Sequence, residues 1–417
     1  MRVTDRVASA VVLAAGKGVR LWPLTEGRSK HMIPIAGKPV IEHVALAIRS
    51  AGLRNLIVVT GYQEELIRKC LGDGKRLGLK IEYAHQSDIS GTASALAVAR
   101  EYLGDKDFVT VYGDVLVKAA AIKRVLNTYG RKRRRPTVGL VPVSHPESYG
   151  MARIAGEWIT EIVEKPQASA SPSNLANAGI YVLNQAILDH LENAPRSGRG
   201  EFEITDAISS LARGGGAVAW SRIEASDWRD IGRPWDLLFA NADLLARLRR
   251  SVKGTIEKRV TILGRVIVEN DAIIKTGTII EGPAWIGGRA IVGPFAHIRA
   301  GASIGRGAMV GNFCEIKNSI IMDGTRIQHL SYVGDSVIGE KCNLGAGTMV
   351  ANVKSSGKTV RMRIRDTIED TGLRKLGVFT GDGIRTGVNS SIMPGVRIAS
   401  GAVVPAGSVV SEDFFAA

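Results

Sequence analysis

The sequence predicts an α/β chain with two successive architectures: a Rossmann-like domain, then a C-terminal left-handed parallel β-helix. Three observations predict it. Up to about residue 235, short apolar runs alternate with amphipathic helical patterns. From about residue 256, aliphatic side chains recur every six residues instead. Glycine is abundant, at 48 residues, while aromatics are only 5%, a composition suited to tight turns and small stacked side chains.

In the first segment, strands are expected at 7–13, 56–60, 108–112, 137–143 and 178–183. Helical patterns separate them, as at 39–51, where Val40, Val44, Ala47 and Ile48 share one face. This rhythm implies a mainly parallel sheet covered by helices, with ligands bound beyond the carboxyl ends of the strands. The run VASAVVLAA follows Arg2 and Arg6 and has some features of a secretory signal. Asp5 precedes it and GKGVR follows at once, so it reads as a buried strand entering a Gly-rich loop. Residues 234–250 read as a helix, with Pro234 in its first turn and arginines in its last. The expected domains are therefore 1–235, a linker helix 236–255 and a β-helix 256–417.

In the second segment, the six-residue phase runs unbroken through Ile274, Ile280, Ile286, Val292, Ile298, Ile304, Val310 and Ile316. One residue is dropped before Ile321, Ile327 and Val333, and another before Ile338, Leu344 and Val350. A basic insertion at about 354–375 follows, expected to project from the prism, and the phase resumes at Ile392, Ile398, Val404 and Val410. Each aliphatic side chain is expected to point into a prism and stack on the next coil.

The net charge is +15. Its densest run, Arg131 to Arg135, has no interleaved aromatics, so it reads as a solvated loop, and phosphate-bearing substrates account for the charge without nucleic acid. Cys70, Cys314 and Cys342 are far apart and lack metal-ligand spacing, which fits free thiols in a cytoplasmic protein. No run of 18 apolar residues exists, so no membrane span is expected.

The first candidate site is 13–39, LAAGKGVRLWPLTEGRSKHMIPIAGKP. A G-x-G loop brings backbone N–H groups close to a polyphosphate. Leu21 occupies the third glycine position of a dinucleotide fingerprint, and Pro39 follows Gly37-Lys38, which excludes a Walker A loop. Arg20 and Lys30 add two fixed cations, which suits a triphosphate attacked at its α-phosphorus. This stretch resembles the signature of the sugar nucleotidylyltransferases, and the resemblance continues in order through QSDISGTA (86–93), YGD (112–114), YG (149–150), VEKP (163–166), NAGIY (177–181) and WRDIG (228–232). It implies that Leu13, Ala14, Ala15, Gly16 and Gly18 line the nucleotide, and that Arg20 and Lys30 activate its phosphates. It further implies that Gln86, Gly91 and Thr92 read the base, and that Asp114 and Asp230 hold Mg²⁺. Gly150, Glu164 and Asn177 would hold the sugar, and Lys165 its phosphate. Val19 replaces the family's Thr or Ser, and Ser29 replaces the proline before Lys30; His31 receives no role.

The second candidate site consists of the side chains that interrupt the hexad pattern. AHIRAGA (296–302), EIKN (315–318), QHLSYVGD (328–335), NLGAGT (343–348), Asn352 and Lys358 resemble the acetyltransferase half of bifunctional UDP-N-acetylglucosamine-synthesising enzymes, and 379–395 resembles the archaeal ones. The resemblance implies that His329 is the general base on an amine. Arg299, Lys317, Tyr332 and Lys358 would bind the sugar phosphate, and Asn343 and Asn352 would orient the amine and acetyl groups. Backbone amides at Ala346 and Gly347 would meet acetyl-CoA and its oxyanion. Together the two halves imply an enzyme that acetylates glucosamine- or galactosamine-1-phosphate and couples the product to UTP or dTTP, as a homotrimer or dimer of trimers joined through the β-helix. The alternative is a single nucleotidyl transfer to glucose- or mannose-1-phosphate, with a structural β-helix. A non-catalytic regulatory subunit is disfavoured by Arg20, Lys30, Asp114 and Asp230.

Overall fold

The computed structural model describes residues 7–192, 196 and 200–415. They form two compact units, one built from the chain up to Lys17 together with Val40–Asp230, the other from Gly18–Pro39 and everything from Ile231 onward.

The first unit is organised on a nine-stranded sheet. Its strand order is Lys80–His85, Asn55–Thr60, Val7–Ala14, Asp107–Tyr112, Leu175–Leu183, Thr137–Pro142, Val218–Arg222, Trp158–Glu164 and Gly150–Ala155. The signal-like run is the strand Val7–Ala14, paired in parallel on both sides. It is apolar because both its faces are buried, as parallel strands require. The helix Val40–Ala51 buries Val40, Val44, Ala47 and Ile48, the face read from its spacing. The sheet is mixed, however, not mainly parallel. Leu175–Leu183 runs antiparallel to both its neighbours, and a hairpin, Gly150–Ala155 with Trp158–Glu164, closes one edge. Strand direction depends on how each connection returns to the sheet, which apolar content does not encode.

The second unit contains three parallel sheets of eight strands each, the faces of the left-handed β-helix. Partners lie 18 residues apart, as Val266 with Ala284 and Ile291 with Met309, so one coil is three hexads. Where a hexad loses a residue the step falls to 17, as from Ser303 to Ile320. The aliphatics from Ile274 to Ile316 at this phase are all buried in one core, joined by Cys314 and Cys342. The helix preceding the coils is Asp236–Leu245, shorter than its sequence pattern. Leu245 and the following Leu248 pack with Ala36 and Trp285, and by Ser251 the chain has entered the first sheet. The basic insertion forms a hairpin, Arg361–Ile364 with Thr367–Asp370. It does not stand clear of the unit: Val360, Met362 and Ile364 are buried, and Glu369 pairs with Arg233 at 2.6 Å. Alternate apolar residues within the basic run supply that buried face.

Candidate active sites

In the first unit, predicted residues gather around the carboxyl ends of the central strands. Leu13 and Ala14 end the strand Val7–Ala14, and the Leu13 carbonyl accepts from the Gly113 amide at 2.9 Å. Ala15 and Gly16 continue into the loop. The Gln86 amide nitrogen is buried and donates to the Gly91 carbonyl (3.2 Å) and to Ser94 Oγ (2.9 Å). Gly91 sits at φ +139, and a Cβ there would lie 2.2 Å from the Phe202 carbonyl oxygen, so only glycine fits. Thr92 Oγ1 accepts from the Ile204 amide at 3.0 Å. A rigid loop thus carries Gln86, Gly91 and Thr92 together.

The sugar-side residues form a second cluster in the same unit. Glu164 Oε1 accepts from Thr205 Oγ1 at 2.8 Å and fills the place a Cβ on Gly150 would need, 2.6 Å away. Asn177 donates to the Tyr181 hydroxyl (2.6 Å), which donates to that of Tyr112 (2.9 Å). Burial keeps both phenols far above the usual tyrosine range, so they remain protonated. Lys165 adopts φ +44 and its amide bonds the Tyr149 carbonyl at 2.9 Å. Tyr149 meets Trp228 edge-on at 5.9 Å, and the Trp228 indole donates to the Ala178 carbonyl. Thr205 and Ser94 have no individual sequence signal; their hydrogen bonds to Glu164 and Gln86 reveal them.

Asp114 follows the strand Asp107–Tyr112, and Asp230 ends Trp228–Asp230. Trp228–Asp230 pairs antiparallel with the short strand Val115–Val117, with Asp230 facing Val115. Both acids are half-buried, and Asp114 directly precedes the residue that Asp230 faces. Among the described residues no cluster of three acidic, histidine or cysteine ligands exists. Two hard oxygen donors fit a magnesium-type ion, which takes one or two carboxylates and completes its shell with phosphates and water.

Arg20 and Lys30 belong to the second unit. Arg20 lies on a single 3₁₀ turn, Val19–Leu21, and Lys30 opens another, Lys30–Met32. Gly18, at φ +72, leaves room for the Lys30 stem: a Cβ would lie 2.7 Å from Lys30 Cβ. Val19 is exposed, so a hydroxyl there is not required for packing. Ser29 Oγ contacts His31 Nδ1 at 2.6 Å, with both residues buried. That gives His31 a structural part its sequence position did not disclose.

On the β-helix, four predicted residues lie along successive coils of one face. Lys317 Nζ pairs with Asp335 at 3.0 Å, and the Asn352 amide donates to Asp335 at 2.5 Å and to the Tyr332 hydroxyl at 3.2 Å. Asn318 donates to the other Asp335 oxygen at 2.8 Å. Arg299 pairs with Glu315 at 2.8 Å. Asp335 is the centre of this network and is buried, although in sequence an acid at a coil corner looks like an ordinary turn residue. Burial first, then the Asp335 and Glu315 charges, raise the Tyr332 phenol above its ordinary value. His329 ends the strand Arg326–His329, exposed, three residues before Tyr332. Its carbonyl accepts from the Gly347 amide at 3.2 Å. That amide is engaged within the coil stack. Asn343 is exposed in register with Arg326, and Lys358, exposed in the insertion, makes none of the contacts of the Asp335 network.

A nucleotidyl transferase family model matches residues 9–247, and a model described as GMPPB C-terminal domain matches 280–371. The chain is 45% identical to "Bifunctional protein GlmU" of Methanococcus maripaludis strain C7, spanning 97% of this chain and 95% of that one. It is 38% identical to the "Bifunctional sugar-1-phosphate nucleotidylyltransferase/acetyltransferase" of Sulfurisphaera tokodaii, over 97% of both. A structure of UDP-glucose pyrophosphorylase complexed with UDP-glucose shares the fold, with TM-score 0.53 and 23% identity, over 58% of this chain and all of the other. Sequence likeness thus spans both units, and this chain belongs to the family of bifunctional sugar-1-phosphate nucleotidylyltransferases/acetyltransferases.

Proposed function

We propose that the β-helix N-acetylates an amino-sugar-1-phosphate from acetyl-CoA, glucosamine-1-phosphate in preference to galactosamine-1-phosphate, and that the product is then coupled to UTP with release of pyrophosphate. The observation that carries this reading is the likeness to bifunctional relatives over 97% of the chain, covering both sets of candidate residues. The nucleotidyl-transfer domain corresponds to 1–235 and the acetyl-transfer domain to 256–417. In acetyl transfer, exposed His329 accepts a proton from the attacking amine, a task suited to a neutral imidazole near pH 7. Arg299, Lys317 and Tyr332 take the sugar phosphate, with Lys358 closing over it. Asn343 and Asn352 orient the amine and acetyl groups. The Ala346 amide meets the carbonyl oxygen as negative charge develops.

In nucleotidyl transfer, the sugar-1-phosphate oxygen attacks the α-phosphorus in line, and pyrophosphate leaves. Arg20 and Lys30 neutralise the triphosphate, and Leu13, Ala14, Ala15, Gly16 and Gly18 line the nucleotide. Gln86, Gly91 and Thr92 select the base. Glu164, Asn177 and the close-packed Gly150 hold the sugar, and Lys165 its phosphate. Asp114 and Asp230 would hold Mg²⁺, which supplies charge neutralisation when bound. The β-helix assembles as a homotrimer, and the three free cysteines suit the cytoplasm.

His329→Ala tests the reading, with CoA release and pyrophosphate release followed in the same sample. Acetyl transfer should fall by about 10²–10⁴-fold, the usual contribution of general base catalysis, while nucleotidyl transfer from N-acetylglucosamine-1-phosphate and UTP stays intact. Unchanged acetyl transfer would reject the assigned base. Absence of CoA release from wild type with any hexosamine phosphate would reject the acetyl half of the reading.

A further inference from the structure

The segment that carries Arg20 and Lys30 is sewn to the β-helix at several points within the second unit. Arg28 is the innermost. Its guanidinium is buried, pairs with Glu340 at 2.8 Å and Asp382 at 2.5 Å, and contacts the Met322 sulfur. Glu340 and Asp382 lie on neighbouring coils, and the Glu340 amide donates to Asp382 at 2.8 Å, so both acids are themselves fixed. Nearby, Glu26 accepts from the Ser400 amide, Trp22 stacks on Phe415 at 5.4 Å, and the Ala36 amide donates to Asn241. Although burial opposes its charge, the two carboxylates outweigh that and hold Arg28 more firmly protonated than usual.

From Arg28 a short mechanical path leads to Lys30. The adjoining Ser29 accepts from the His31 amide and contacts its ring, closing the turn in which Lys30 is the first residue. The Lys30 stem then lies against Gly18, where even a methyl group would not fit. We infer that Arg28, Glu340 and Asp382 are positioning residues for nucleotidyl transfer: the β-helix holds the phosphate-binding segment in its working geometry through this clasp. A buried Arg paired with two part-exposed carboxylates gains little net stability once its own loss of hydration is counted, and a fork donor fixed on both sides sets orientation more tightly than apolar packing does.

This inference rests on the assignment of Lys30 to the triphosphate. The experiment compares full-length wild type with Glu340→Gln/Asp382→Asn, Arg28→Met, Arg28→Lys and Lys30→Ala. Pyrophosphate release, CoA release and the thermal midpoint are measured on each preparation. Displacing a catalytic group by about 1 Å costs on the order of 10²-fold. Glu340→Gln/Asp382→Asn and Arg28→Met should therefore lose roughly 10- to 100-fold in nucleotidyl-transfer kcat, with CoA release within about twofold, and Arg28→Lys should recover part of the loss. Full nucleotidyl transfer in Glu340→Gln/Asp382→Asn, while Lys30→Ala is inactive, overturns the clasp and leaves the Lys30 assignment standing. Parallel loss of both activities and of thermal stability overturns it as well, since that marks a merely structural pair. An active Lys30→Ala instead removes the assignment on which the inference depends.

Discussion

Asp335→Asn is the most informative single change. The carboxylate accepts from Lys317 and Asn352 on one oxygen and from Asn318 on the other, at 3.0, 2.5 and 2.8 Å. An asparagine keeps the shape but has only one acceptor oxygen. Its better orientation keeps that oxygen towards Lys317 and Asn352 and turns its NH₂ against the Asn318 amide. Losing the partner of the half-buried Asn318 donor costs about 1–3 kcal/mol, and replacing a charged acceptor by a neutral one for Lys317 costs about 1 kcal/mol more. The sum, about 2–4 kcal/mol, should lower the thermal midpoint by several degrees. Since Lys317, Tyr332 and Asn352 are all oriented through this network, CoA release with glucosamine-1-phosphate should fall by roughly 10- to 100-fold, mainly through KM if these groups hold the sugar phosphate. Pyrophosphate release from N-acetylglucosamine-1-phosphate and UTP, at a temperature well below the midpoint, should remain within about twofold. A variant with wild-type kcat/KM for acetyl transfer would refute the view that Asp335 organises the site, whatever its melting point.

Three further expectations follow from the packing. Gly18→Ala places a methyl 2.7 Å from Lys30 Cβ at φ +72; nucleotidyl transfer should drop by on the order of 10²-fold with acetyl transfer retained, as paired assays on one preparation will register. Gly150→Ala should displace Glu164, whose Oε1 lies 2.6 Å from the new Cβ, and Thr205→Val should remove the hydroxyl that bonds it; each should raise KM for the sugar-1-phosphate about tenfold, with KM for the nucleotide as the control. Cys314 and Cys342 are buried and their thiols pushed up by that burial, so at pH 8 a thiol reagent should label Cys70 alone in the native protein and all three cysteines after denaturation, counted by intact mass.

Much of this protein is determined by its sequence without help from tertiary structure. The six-residue phase from Ile274 to Ile316 is local and self-repeating: each coil buries its own aliphatics, and the core is the sum of identical short-range choices. Even the dropped residue before Ile321 reappears as the 17-residue register step at Ser303. Strand Val7–Ala14 and helix Val40–Ala51 were equally legible, because burial on two faces or one leaves a periodic trace. Tertiary structure alone decided the antiparallel run of Leu175–Leu183, the early end of the helix at Leu245, and the inward-facing apolar residues of the insertion. It alone disclosed Asp335 as a hub, Thr205 behind Glu164, and Arg28 held by acids more than 300 residues away. A charged or polar residue carries no periodic signature; whether it is a solvated turn or a buried anchor depends on which distant donors the completed fold brings within 3 Å.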